Sequence, residues 1–311
     1  MGSLRKRPAA VPLCLLLAAV STGPHAALTP LTRAESSGYT QTSTHAEVMS
    51  FIRALQQQTD RLRVETLGTS TEGRMIPLLV IGAPAPASPA DLRHDKRAVV
   101  YFQADIHAGE VEGKEAALML ARDLVAGDAA QYLDRLVVLI APIFNPDGND
   151  RISTTNRTNQ NGPPGGVGIR LNGQNLDLNR DGIKLETPEV RGLVQNVLQR
   201  WDPVFFLDSH THNGSYHQEP VTWVWGLNAN GEPAIFDYMA DTVWPAIEKQ
   251  MRERHATLTI PHGDFEDPRN PAKGWIPLGP EPRYLSNYVG LRNRLAVLDE
   301  QYPYVDLKTR V

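Results

Sequence analysis

A chain of 311 residues with 41% hydrophobic and 21% charged positions has ordinary globular composition, which excludes a disordered or collagen-like polymer. The formal net charge is −4. With no basic stripe and no acidic tail, a nucleic-acid partner is not expected. The single cysteine, Cys14, allows no disulfide, so stability must come from an apolar core.

The chain begins with a targeting pattern. Arg5, Lys6 and Arg7 form a positive start, Val11 to Val20 is apolar but too short to span a bilayer, and small residues run to Ala26 or Ala27. Residues 1–26 therefore read as a secretory signal peptide, which implies a secreted or periplasmic protein with no membrane attachment after cleavage. Cys14 comes too early in the apolar run to serve as a lipid attachment point. The remaining length suits one large domain, expected over 35–311.

Apolar spacing at Val48, Ile52 and Leu55 predicts a helix over 46–59. Two strands, 63–67 and 76–82, flank the turn Gly68–Gly73. The run 98–106 reads as a buried strand, followed by a helix over 110–126 and a second buried strand over 136–143. A long Asn-, Gly- and Pro-rich stretch, 145–175, has the length of a functional loop. Then come a helix over 187–200 with Pro188 in its first turn and a buried strand over 203–209. A helix over 233–254, a loop over 260–283 and a last strand over 294–299 complete the chain. Alternating strands and helices predict a single α/β domain: a mixed, mostly parallel twisted sheet with helices on both faces. In such sheets, sites form at the carboxyl ends of strands.

That rule points to His107, directly after the strand 98–106, with Glu110 three residues on, at the helix start. His210 closes the strand 203–209, and His212 and His217 in the same stretch compete with it. Two histidines and one carboxylate form a catalytic zinc donor set with a position left open for water. One zinc ion is expected, held by His107, Glu110 and His210.

These residues sit among further motifs. Leu67–Arg74 reads Gly-x-Ser-x-Glu-Gly-Arg from Gly68 onward, and His107-Ala-Gly-Glu110 is followed by Asn145-Pro-Asp-Gly148. Then come Asp177-Leu-Asn-Arg180, Asp208-Ser-His210 and Leu298-Asp-Glu300. In this order they resemble the zinc carboxypeptidase family over about Tyr39 to Tyr304, including its two-histidine, one-glutamate donor set.

The resemblance implies roles. His107, Glu110 and His210 would bind zinc, with Asp177 orienting a ligand histidine. Asn179 and Arg180 would grip the terminal carboxylate of a peptide. Glu300 would be the general base and Arg157 the arginine that polarises the scissile carbonyl, with Arg151 as its rival. A tyrosine would close over the substrate, Tyr288 or Tyr284. The family adds a closing helix after this point, which Tyr304 to Val311 is expected to begin. The dozen or so residues between Ala27 and Tyr39 leave little room for a pro-domain, so activation by its removal is not expected.

Some features depart from the family's digestive members. Gly109 stands where those carry an arginine between the ligands. Asp208–His217 is closer to amidohydrolase relatives that cleave N-acyl amino acids, the aspartoacylase and succinylglutamate desuccinylase group. The expected function is hydrolysis of the C-terminal peptide bond. The alternatives are hydrolysis of N-acyl amino acids and trimming of peptidoglycan peptides. In each case the partner is a peptide or small amide bearing a free carboxylate.

Overall fold

Eight strands form one sheet in a computed structural model that describes residues 29–311; the signal-peptide reading and Cys14 lie outside them. In chain order the strands are β1 (Leu62–Thr69), β2 (Met75–Ile81), β3 (Ala98–Ala104), β4 (Leu136–Ala141), β5 (Phe205–Thr211), β6 (Val221–Trp225), β7 (Thr259–Pro261), β8 (Gly263–Phe265), β9 (Trp275–Pro277) and β10 (Leu295–Gln301). The large sheet runs β1-β2-β4-β3-β5-β10-β6-β7, and β8 and β9 form a separate hairpin. Its four central strands, β4, β3, β5 and β10, are mutually parallel. The pairs β1–β2, β2–β4 and β6–β10 are antiparallel.

The strand sequences are apolar on both faces because both faces are covered. Along β4, Val137, Leu139 and Ala141 join one buried cluster with the helical segments Pro188–Gly192 and Leu193–Leu198 and the helix Leu285–Leu291. Val138 and Ile140 point the other way, into a cluster with the helices His45–Gln56 and Glu112–Ala126. This is the period-two alternation of a pleated strand. The helix Glu112–Ala126 packs close to the sheet at Gly113, where a Cβ would stand 2.7 Å from Ser209 Oγ.

The expected class holds: one domain, with a mixed, mostly parallel sheet between helices. Several boundaries differ. The helix expected from 110 begins at Glu112, so Glu110 lies in the preceding turn, with its backbone N–H donating to His107 O at 2.8 Å. The strand ending at 209 continues to Thr211, and the last strand continues to Gln301. His210 and Glu300 are therefore inside strands, and they are register partners across β5 and β10. The helix expected over 187–200 gives way to a π-helical stretch after Gly192. Four short elements, β6 to β9, and the helix Leu285–Leu291 were not expected. After Tyr304 the chain makes only a four-residue helix, Leu307–Arg310. Among the described residues, no helix is long and apolar enough to cross a membrane.

Candidate metal centre and active site

His107 leaves the carboxyl end of β3, Glu110 follows in the turn, and His210 extends from β5. All three are buried, and their donor atoms lie within 4.8 Å of one another. The two Nδ1 atoms face each other at 3.2 Å. Glu110 Oε1 is 3.0 Å from His107 Nδ1, and Oε2 is 2.9 Å from His210 Nδ1. The far ring nitrogens face carboxylates: His107 Nε2 donates to Asp177 Oδ1 at 3.1 Å, and His210 Nε2 lies at ion-pair distance, 3.1 Å, from Asp208 Oδ2. That arrangement leaves both Nδ1 lone pairs aimed at one point, as a metal requires. Two imidazoles and a carboxylate, dry and convergent, fit zinc.

The electrostatics agree. Burial opposes charge on His210, yet Asp208 and Glu110 hold its pKa well above the usual imidazole value. Burial would raise Glu110, but the His107 and Arg157 charges and the bonds from His107 and His210 keep it well below the carboxylate range. Asp177 is likewise held low against burial by His107, Arg170 and Arg180. The centre is thus built to hold positive charge.

His212 does not join it. Its Nε2 donates to Gly263 O at 2.8 Å and its Nδ1 accepts from Gly214 N at 3.1 Å, so both nitrogens are engaged. His217 pairs with Ser215 Oγ at 2.7 Å. Both residues belong to a buried group of rings beside the centre.

A cavity of about 50 Å³ opens onto the cluster, lined by His107, Glu110, Asn179, Arg180, Tyr284 and Glu300, among others. Asn179 accepts from Leu285 N at 2.9 Å through its Oδ1, which leaves the amide nitrogen toward His210 at 3.5 Å. Arg180 stacks over the Tyr284 ring at 4.5 Å from its centroid. Burial pushes the Glu300 carboxyl up to about 8; Glu110 adds to this, and the His210, Arg157 and Arg170 charges oppose it.

Three expectations change at this level. Tyr288 packs against the hydrophobic core, and Tyr284 is the tyrosine in the cavity wall. Arg157 reaches the centre, with Nη2 3.0 Å from Glu110 Oε1, but it lines a neighbouring cavity instead. It passes over Gly109, where a Cβ would stand 2.2 Å from its Cδ; the missing side chain at 109 makes room for this arginine. Arg151 is exposed and paired with Glu72. The arginine in the cavity wall is Arg170, whose Nε donates to Asp177 Oδ2 at 2.8 Å and whose Nη1 lies 3.7 Å from Glu110. The sequence reading missed Arg170, Asp208 and His262. Asp208 was findable, since it points to the same sheet face as His210 two residues on. Arg170 sits in a long loop whose path no periodicity reveals.

Comparison with known proteins finds similar chains. The profile of a family described as zinc carboxypeptidase matches residues 48–216. Carboxypeptidase 2 of Trichophyton tonsurans is 29% identical over 143 residues, covering 45% of this chain and 23% of that protein. Carboxypeptidase D of Mus musculus is 28% identical over 210 residues, covering 57% of this chain and 15% of that protein. The chain thus spans under a quarter of these curated relatives' lengths. A metallo-carboxypeptidase structure from Burkholderia cenocepacia superposes with a TM-score of 0.60 at 20% identity, over 84% of this chain and 60% of that one, which is a likeness of fold.

Proposed function

The chain belongs to the zinc carboxypeptidase family, and from that premise we propose that it removes the C-terminal residue of peptides. One observation carries the reading: Asn179 and Arg180 share a single small cavity with two of the metal ligands, His107 and Glu110, and with Glu300. A group that can grip a terminal carboxylate is thereby set beside a group that can activate water.

A zinc ion held by His107, Glu110 and His210 would supply positive charge at the scissile carbonyl and a water of pKa near neutrality. Arg180 holds the terminal carboxylate through its planar fork, with the Asn179 amide as a further donor. That clamp selects the last bond by position. Glu300 accepts the proton of the attacking water and returns it to the leaving amine. Arg170, in place of Arg157, faces the negative charge that develops on the carbonyl oxygen; one such donor typically contributes about 10²–10³ in rate. Tyr284 covers the clamp. Arg157 holds Glu110 from behind.

We further propose that the domain spans 35–311 and is secreted after loss of residues 1–26. The basic start and short apolar run support this. The deciding experiment is a mass-spectrometric digest of a mixed library of peptides and N-acyl amino acids by zinc-loaded protein. Release of single C-terminal residues is expected. Cleavage of the N-acyl amino acids alone would overturn the reading.

A further inference from the structure

Among the described residues, one basic side chain stands within 4.0 Å of the Glu300 carboxylate, that of His262. Glu300 Oε1 lies 3.5 Å from His262 Nε2, and both side chains are about nine-tenths buried. Glu300 Oε2 is buried without a partner. Among the described residues no side chain is hydrogen-bonded to this carboxylate, and the 3.5 Å approach of His262 is the contact from which such a bond can close.

His262 is itself firmly placed. It stands between β7 and β8, and its backbone N–H donates to Trp223 O at 2.9 Å. Its Nδ1 is 3.0 Å from Thr222 Oγ1. Thr222 is fully buried on β6 and is the cross-strand partner of Glu300 in the antiparallel pairing with β10. Residues directly opposite in such a pairing present their side chains to the same face. The imidazole therefore bridges two side chains that the sheet already sets side by side.

We propose that His262 is a positioning residue for Glu300: Thr222 donates to Nδ1, fixing the Nε2–H tautomer, and Nε2–H donates to Glu300 Oε1. This leaves Oε2 as the oxygen that takes the proton of the attacking water. The inference rests on the assignment of Glu300 as the general base. A donor that remained charged would weaken that base. Burial, with His212, His210 and His217 adding to it, lowers His262 to about 3, so the donor is neutral at working pH. A neutral donor on one oxygen orients the carboxylate without neutralising it.

The test uses zinc-loaded protein and an N-blocked dipeptide with a free carboxylate. In His262→Phe, kcat is expected to fall about 10- to 100-fold, with KM within about twofold and zinc content unchanged. His262→Gln is expected to recover most of the loss, because its amide nitrogen can stand near Nε2. An unchanged kcat in the Phe variant, or a loss that Gln does not relieve, overturns the proposal. A readout free of turnover accompanies this: ¹⁵N spectra of the imidazoles. They are expected to show His262 as the Nε2–H tautomer, with that resonance shifting in Glu300→Ala; an Nδ1–H tautomer overturns the proposal. If the Phe variant does not fold, Thr222→Val in the same assay is expected to lower kcat with KM held, and an unchanged kcat there overturns it. If the unaltered protein releases nothing from peptides, the peptidase reading fails while the spectra still decide the His262–Glu300 contact.

Discussion

The chemistry concentrates in a few side chains whose surroundings set their charge. Glu300 must be ionised to act as a base, and burial pushes its carboxyl up to about 8. A cation at the neighbouring ligands favours the ionised form. The proposed activity is therefore present above the Glu300 pKa and is lost as pH falls through it. In a kcat/KM profile of the zinc-loaded protein, that acid limb is expected below pH 8. Glu300→Gln is expected to keep its zinc by metal analysis while kcat drops about 10²–10⁴-fold; normal turnover would remove Glu300 from the chemistry. His210→Ala is expected to lose the metal and His212→Ala to keep it, since only His210 leaves a ring nitrogen to the cluster. Asp208→Asn retains the shape but removes the carboxylate behind His210, and its zinc affinity in a chelator competition is expected to fall about 10- to 100-fold.

At the level of elements, legibility followed chemistry and apolar pattern. The central strands announced themselves as unbroken apolar runs, and the ligand pair His107 and Glu110 followed from the end of one of them. The β5–β10 register did not. The sequence put His210 just past one strand and Glu300 just past another, whereas pairing in the sheet carries both strands on and makes these residues neighbours. Strand ends depend on what lies beside them, which no single segment records. The short strands β7 to β9 are three residues each and depend on pairing with distant segments. Tyr288 and Tyr284 both precede Glu300, and only the placement of the helix Leu285–Leu291 sends the first to the core and leaves the second at the cavity. The same dependence makes the Gly113 contact a sensitive one. Gly113→Ala sets a methyl 2.7 Å from Ser209 Oγ, and the overpacking is expected to exceed the gain in helix propensity. A net loss of about 1 kcal/mol in urea unfolding is expected, together with weaker zinc binding, because this helix begins just after Glu110.

Across the molecule, two buried histidines, His217 and His262, tie stability to pH. Burial lowers His217 to about 4 and His262 to about 3, against an ordinary value near 6.5. Between these limits the unfolded chain binds more protons than the folded one. Stability from these groups is therefore full above about pH 6.5 and declines as pH falls toward 4 and below. Glu300 and Asp299, raised by burial to about 8 and about 7, act in the opposite sense over the same window, so the histidine share is read as a difference: the urea midpoint of His217→Gln is expected to gain on that of the unaltered protein as pH falls from 6.5 toward 4. The β5–β10 pairing has a different consequence. His210 and Glu300 occupy one rung of a parallel ladder, so their separation is a sheet spacing that holds until the sheet itself melts. Arg170, Asn179 and Arg180 hang from the loop and short turn before the helical segment Pro188–Gly192, which have no such rung. On warming, the grip on substrate is expected to slacken first. KM should rise over a range of temperature in which kcat still climbs, and turnover should then fail in the same interval as the global unfolding transition.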